Sequence, residues 1–397
     1  MSSVIGSMAS SLQFYIDQHP FPTLLTVAAV LNLLWYYLVV DRRPLVYGGR
    51  GGLKDYLLTH CPVLSQSYRP TIWAWHYHGT TIIRALFQQC IPIEFDREIV
   101  TLPDGGELAL DWSKQKKDDS AMLQHKPVML IVPGITGDSS LNYVSHFVHD
   151  GLYQGYHCVV FNHRGMANMP LKSPRLVAVT NEDIEAVLDV IQTRYPLVPI
   201  VAIGVSLGSM ILTKYLNSAG SESKINACVA FSACWNIEDT IPTLEGVWIN
   251  RKVYVETLVD GLKDIVQKNA AIISQNPNVD ISRVLRTRRL SDFNKEMTVP
   301  TWGFESVQQY HRQCSIDTQL SDIQVPYLAV SSMDDPFAPA HTIPILEFES
   351  NPNTVLLLTR HGGHFGFIEG VYPRGRSWMN KIVSQFLVAM KTKQGQQ

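Results

Sequence analysis

The pentapeptide Gly204-Val205-Ser206-Leu207-Gly208 constrains this chain most, because it falls where a buried apolar run, Pro199-Ile200-Val201-Ala202-Ile203, gives way to a helical pattern. That pattern is carried by Ile211, Leu212, Tyr215 and Leu216, which share one helix face. A strand that feeds a helix through a serine flanked by glycines reads as a nucleophile elbow, a sharp turn that lifts a hydroxyl clear of a sheet. The glycines permit the turn, since a Cβ beside the serine would meet neighbouring backbone. The bare G-x-S-x-G pattern recurs by chance; the strand before it and the helix after it give it meaning.

Such an elbow calls for an acid and then a histidine, in that chain order, at later strand ends. After the run Val325-Pro326-Tyr327-Leu328-Ala329-Val330 come Met333, Asp334, Asp335 and Pro336, so two adjacent carboxylates compete. Strand alternation does not extend into a loop, and both stay candidates on spacing. The strand Thr354-Val355-Leu356-Leu357-Leu358-Thr359 leads into Arg360-His361-Gly362-Gly363-His364-Phe365-Gly366-Phe367. Gly362 and Gly363 give His364 a flexible approach, so His364 is the expected base and His361 a loop residue.

Acyl chemistry at a serine also needs hydrogen-bond donors for the tetrahedral oxyanion, each worth a few kcal/mol. The Leu207 amide follows the nucleophile position and supplies one. The strand Pro127-Val128-Met129-Leu130-Ile131-Val132 ends in Pro133-Gly134-Ile135-Thr136-Gly137, which points to the Ile135 amide as the second, with Thr136 the alternative. The remaining histidines, His76 and His78 included, read as surface or core residues. No grouping suggests a metal site, and no cofactor is expected.

These segments resemble the α/β-hydrolase superfamily, and more narrowly the AB hydrolase 4 group that holds α/β-hydrolase domain-containing proteins 1 and 3. The resemblance rests on His60-Cys61-Pro62 ahead of Trp73 and Trp75, on Asp104-Gly105-Gly106 with Leu110-Asp111-Trp112, and on Pro133-Gly134-Ile135-Thr136-Gly137. It continues through Val160-Phe161-Asn162-His163-Arg164-Gly165, the elbow, and Gly362-Gly363-His364-Phe365-Gly366-Phe367. It implies a membrane-attached serine esterase acting on acylglycerols or phospholipids, with a triad at Ser206, Asp335 and His364. Asp335-Pro336-Phe337-Ala338-Pro339 resembles the D-P-x-x-P turn that carries the acid in many such enzymes, which favours Asp335 over Asp334. Ser209 departs from the pattern, since relatives usually place another glycine there.

At 397 residues with 46% apolar side chains, one α/β domain with a cap fits better than two independent domains. A formal charge of −2 provides no basic stripe for nucleic acid. The six cysteines, Cys61, Cys90, Cys158, Cys228, Cys234 and Cys314, lack metal or redox spacing and read as buried thiols.

Phe21 to Val40 is a run of twenty residues without a charge, long enough to cross a bilayer. No Lys or Arg precedes it and Asp41-Arg42-Arg43 follow, which reads as a retained signal-anchor with Trp35, Tyr36 and Tyr37 at the headgroup level. Arg42, Arg43, Arg50 and Lys54 place the catalytic domain in the cytosol by the positive-inside rule, whereas the resemblance implies the opposite orientation; the endoplasmic reticulum is the candidate membrane.

A hairpin is expected around Asp104-Gly105-Gly106, strands at Tyr156 to Phe161 and Ile225 to Phe231, and a helix capped by Thr180. Alternating strands and helices imply a mostly parallel sheet covered on both faces. The expected organisation is an N-terminal segment 1–20, an anchor 21–40, a connector 41–95 and a hydrolase core 96–232. A cap 233–324, the second part of the core 325–391 and a tail 392–397 follow. Trp235, Trp248, Tyr254, Trp302, Phe304 and Tyr310 are candidates to line an acyl pocket, and Arg283, Arg286, Arg288 and Arg289 to meet anionic headgroups. The expected partners are a lipid ester and a bilayer. An acyltransferase would use the same triad, although the H-x-x-x-x-D motif of some relatives is missing, and a lipid or hormone receptor on the same fold is the non-enzymatic alternative.

Overall fold

The computed structural model describes residues 13–114 and 125–395. A nine-stranded sheet runs through the body in the order β1-β9-β8-β7-β6-β4-β5-β3-β2. The strands are β1 (Leu45–Tyr47), β2 (Phe95–Thr101), β3 (Glu107–Ser113), β4 (Val128–Val132), β5 (His157–Asn162), β6 (Ile200–Val205), β7 (Ala227–Phe231), β8 (Tyr327–Ser332) and β9 (Thr354–Thr359). From β5 through β4 to β9 every neighbouring pair is parallel, while β1, β2 and β3 pair antiparallel at the edges.

The central strands are apolar along their whole length because both faces are covered. In β4, Val128, Leu130 and Val132 enter one core layer, while Met129 and Ile131 enter the other. The first layer is closed by helices Glu182–Arg194 and Leu207–Ala219, through Ile184, Val187, Leu188 and Ile191 and through Ile211, Leu212, Tyr215 and Leu216. The second is closed by Leu53–His60, Asn142–Tyr153 and Trp378–Gln394. Each such side chain taken from water contributes about 1.5–3 kcal/mol, so the periodicity that marks these helices in sequence also holds them to the sheet. Helix Trp378–Gln394 opens with a reciprocal cap between Ser377 and Asn380. Helix Glu182–Arg194 starts at Asn181 with no side-chain cap, and the expected Thr180 lies one residue outside it. Its acidic first turn, Glu182, Asp183 and Glu185, complements the helix dipole instead.

Segment 41–95 does more than connect. It contributes edge strand β1, helix Leu53–His60 under the sheet and helix Tyr77–Phe87. Between β7 and β8 the chain is helical, and Leu262, Ile265, Val266, Val284, Phe293 and Met297 form a small core with Met166, Leu171 and Leu176 of the loop after β5. Cys61, Cys158, Cys228, Cys234 and Cys314 are free and buried, with burial pushing the Cys61 and Cys314 thiols up to about 12. Cys90, expected inside, is an exposed free thiol.

Among the described residues one helix is long and apolar enough to cross a membrane, Pro20–Val40, an α-helix to Trp35 that ends in a wider turn. Its most apolar window is only 11% buried, which separates it from a core helix. Its end is fastened to the body: Tyr36 and Val40 are buried, Tyr36 Oη donates to Pro70 O at 2.6 Å, and Arg69 pairs with Asp41 at 2.9 Å.

Among the described glycines, the one with least room for a side chain tests this packing. A Cβ added at Gly208 would lie 2.0 Å from the Val132 carbonyl oxygen, whereas one at Gly246 meets nothing within 4 Å. Gly208→Ala is therefore expected to lower stability by roughly 3 kcal/mol or more in a thermal melt, and Gly246→Ala to leave it within about 1 kcal/mol. Equal melting points for the two variants would show that the elbow tolerates a wider spacing from β4.

Candidate active site

The site begins where β6 stops. Ser206 turns the chain with φ 55° and ψ −118°, a left-handed conformation that costs a non-glycine residue about 1–3 kcal/mol. Glycines make the turn possible: a Cβ at Gly204 would come within 2.7 Å of Ser209 backbone, and Gly208 abuts β4. Backbone bonds hold the strained residue, from Ser206 N to Phe231 O at 2.9 Å and from Met210 N to Ser206 O at 3.2 Å. Ser209 finds its own use, its buried hydroxyl donating to the same Phe231 carbonyl at 2.9 Å.

Beyond β8 and β9, two loops bring an acid and a base to this serine. Ser206 Oγ lies 2.8 Å from His364 Nε2, and His364 Nδ1 lies 2.9 and 3.1 Å from the Asp335 carboxylate oxygens. Asp335 is shut off from solvent and His364 nearly so, at 0% and 5% side-chain exposure, so their pairing is not screened by water. A proton on Nδ1 is fixed by the carboxylate, leaving the Nε2 lone pair free to accept the serine proton. Phe337 stacks on the imidazole with ring centroids 4.1 Å apart, and its amide donates to Asp335 Oδ1 at 2.8 Å.

The neighbouring pair has a separate arrangement. Asp334 accepts from Gly363 N at 2.9 Å and meets His361 Nδ1 at 3.1 Å. It thus braces the loop that carries His364. Sequence spacing leaves the acid open; in three dimensions each carboxylate has its own histidine.

Other supports of this loop were not legible in the sequence. Thr81 Oγ1 accepts from His364 N at 3.1 Å, Ser232 Oγ from Phe365 N at 2.8 Å, and Ser332 Oγ donates to Gly363 O at 3.0 Å. Gly363, at φ +57°, leaves no room for a Cβ, which would sit 2.5 Å from Thr81 Oγ1 and from Tyr77 O. Helix Tyr77–Phe87 therefore lies directly on the histidine loop. At its start His78 Nδ1 meets the Tyr254 hydroxyl of the segment between β7 and β8 at 2.8 Å, and burial lowers the His78 pKa.

The expected oxyanion donors flank Ser206. Leu207 is the first residue of its helix, so its N–H has no acceptor within that helix. Gly134-Ile135-Thr136-Gly137 forms a turn closed by Gly137 N to Gly134 O at 2.9 Å, with the Gly134 Cβ position 3.5 Å from Ser206 Cβ. Ser206, His364, Leu207 and Ile135 all line one cavity of about 590 Å³. Ile237, Ile241, Val253, Leu258 and Leu290 give it an apolar wall.

Of the expected aromatic liners, Tyr254 and Tyr310 reach this cavity. Trp235 is fully buried, bonded to Ser331 Oγ and packed edge-on to Phe348; Trp248 is exposed; Trp302 donates to Leu176 O; Phe304 packs on Tyr310. Aromatic spacing alone did not distinguish lining from packing. Arg283, Arg286, Arg288 and Arg289 are exposed. Among the described residues, no group of three or more His, Cys, Asp or Glu is placed to hold a metal ion.

A sequence profile described as the α/β hydrolase fold matches residues 127–371, more than half the chain, and the chain belongs to that family. It is similar to phospholipase ABHD3 of Homo sapiens, 33% identical over 366 residues that cover 91% of this chain and 88% of that protein. Protein abhd-3.2 of Caenorhabditis elegans is 28% identical over 372 residues, covering 92% and 97% of the two chains. Monoacylglycerol lipase ABHD2 of Homo sapiens is 28% identical over 365 residues, covering 87% and 85%.

Proposed function

We propose that this chain is a membrane-anchored serine hydrolase that cleaves carboxylic esters of lipids, phospholipid or monoacylglycerol, through an acyl-enzyme on Ser206. The observation that carries the reading is the continuous hydrogen-bonded chain from Ser206 through His364 to Asp335, opening into a largely apolar cavity. The relatives named phospholipase and monoacylglycerol lipase support the same substrate class.

In this mechanism His364 Nε2 takes the serine proton as Ser206 Oγ attacks the ester carbonyl. Asp335 keeps the imidazole in the productive tautomer and stabilises its charged form. The Leu207 and Ile135 amides receive the oxyanion. The tetrahedral intermediate collapses as His364 returns the proton to the leaving alcohol, and water, activated by the same base, then frees the acyl group. The apolar wall takes the acyl chain, whose burial there contributes about 0.8 kcal/mol per methylene.

Helix Pro20–Val40 acts as the anchor. Arg42, Arg43, Arg50 and Lys54 follow it and favour a cytosolic body. Holding the enzyme at the surface raises the local concentration of a substrate that resides in the bilayer.

Ser206→Ala should abolish both labelling by a fluorophosphonate and ester hydrolysis without moving the melting point; retained turnover in folded protein would refute the nucleophile. Asp335→Asn should lower kcat by on the order of 10⁴, as loss of the orienting acid does. Asp334→Asn should cost less than about 10², the scale of a small displacement of a reacting group. A reversed ranking in a steady-state assay would exchange the two roles.

Removing residues 1–34, which leaves Tyr36 docked, should preserve hydrolysis of a soluble short-chain ester and reduce activity on phospholipid vesicles. Equal loss on both substrates would make the segment part of the folded body, and full activity on vesicles would leave it without a part in substrate access.

A further inference from the structure

The cavity beside Ser206 is chemically uneven. The segment between β7 and β8 supplies apolar side chains, whereas helix Tyr77–Phe87 supplies Thr81, Arg84 and Ala85, with Ser140 and Asn142 nearby on the same lining. Among the described lining residues Arg84 is the only Lys or Arg, and no Asp or Glu accompanies it.

Arg84 is 5% exposed. Its Nη1 donates to the Gln88 side-chain oxygen at 3.3 Å, a long bond to a neutral acceptor, and its buried Nε has no acceptor. The guanidinium lies against two rings, with Cζ 4.4 Å from the centroid of Phe365 and 5.0 Å from that of Tyr143. Burial lowers its pKa to about 10, which keeps it charged at neutral pH. Aromatic faces attract a cation but do not replace an anion, and a buried charge without a counter-ion is costly. An enzyme that holds such a group in its substrate cavity gains only if the substrate completes the pair.

The position fits a headgroup. Phe365, the ring under the cation, follows His364 directly in the chain, so the charge lies beside the residue next to the base. In a glycerophospholipid a short glycerol bridge separates each ester carbonyl from the phosphodiester. A planar guanidinium presents N–H donors that match two phosphate oxygens in a fork, which a point charge does not.

We propose that Arg84 receives the phosphodiester of a glycerophospholipid whose acyl ester lies at Ser206, and so sets a preference for phospholipid over neutral acylglycerol. The proposal rests on the ester-hydrolase reading of Ser206, and its test separates the two.

Binding to the full chain in maltoside micelles is measured with ether lipids, which resist hydrolysis: a short-chain dialkyl-ether glycerophosphocholine and the matching alkylglycerol ether without phosphate. Arg84→Gln should weaken the phosphocholine ether, relative to the neutral one, about tenfold or more. Arg84→Lys should recover part of the loss, since it keeps the charge without the fork. Equal weakening of both ethers, or no weakening of the phosphocholine ether, overturns the proposal. So does a variant that loses affinity for laurate but keeps it for the phosphocholine ether, which would make Arg84 a site for the released carboxylate. If Arg84→Gln shows no melting transition, the selectivity of Arg84→Lys decides, and an unchanged ratio of the two affinities overturns the proposal. Failure of a fluorophosphonate to label wild-type Ser206 would sink the serine reading separately, because ether binding requires no turnover.

Discussion

The geometry at Ser206 depends on how closely the helix after β6 approaches β4. Gly208 rests against the Val132 carbonyl with no room for a Cβ, and Gly204 leaves none beside the backbone of Ser209 either. With both contacts made, Ser206 has no relaxed alternative, and the strain of its positive φ is held by the packing of a whole helix against the sheet. The Ser209 bond to Phe231 O ties the same helix to β7.

A second fixed point lies at Arg164, 1% exposed and held in a bidentate pair with Asp183 at 2.7 and 2.8 Å and a bond to Asp104 at 2.6 Å. Two motifs separated widely in sequence, Asp104-Gly105-Gly106 and His163-Arg164-Gly165, meet in this one network. Gly106 is small because a Cβ there would lie 2.5 Å from Arg164 Nη1. Trp302 stacks on Arg164 and Arg175, with the guanidinium carbons 5.3 and 4.7 Å from its centroid. The β2–β3 hairpin, the loop after β5 and the segment between β7 and β8 are therefore registered on a single cation. Breaking such a pair leaves a charge buried, which makes the register costly to lose.

How much of this was legible in sequence follows from which interactions are local. The parallel strands read out because both their faces are buried and their residues are uniformly apolar. The elbow read out because its glycines answer to backbone sterics within a few residues. Spacing did not separate Asp334 from Asp335, and only the resemblance of Asp335-Pro336-Phe337-Ala338-Pro339 to a D-P-x-x-P turn favoured Asp335, since the difference between them is which histidine lies opposite across two loops. Strand β1 has three residues and no periodicity to detect. Thr81 and Arg84 sit in segment 41–95, which in sequence reads only as a connector; a lone arginine between Ile83 and Ala85 was the available signal, and its meaning required the cavity.

The same segment joins the end of the apolar helix to His364. The terminal turn of helix Pro20–Val40 is bonded through Tyr36 to Pro70 O. The chain there pairs with the strand-like stretch just beyond the histidine loop: Thr71 N donates to Ile368 O at 3.1 Å, Tyr68 Oη to the same oxygen at 3.1 Å, and Pro70 bridges to Glu369. A few residues on, Thr81 holds the His364 amide. Residues 68–81 thus meet the histidine loop at His364 and just beyond it at Ile368 and Glu369, and they also receive the end of the apolar helix. The end of that helix and His364 are therefore both in contact with one packed segment.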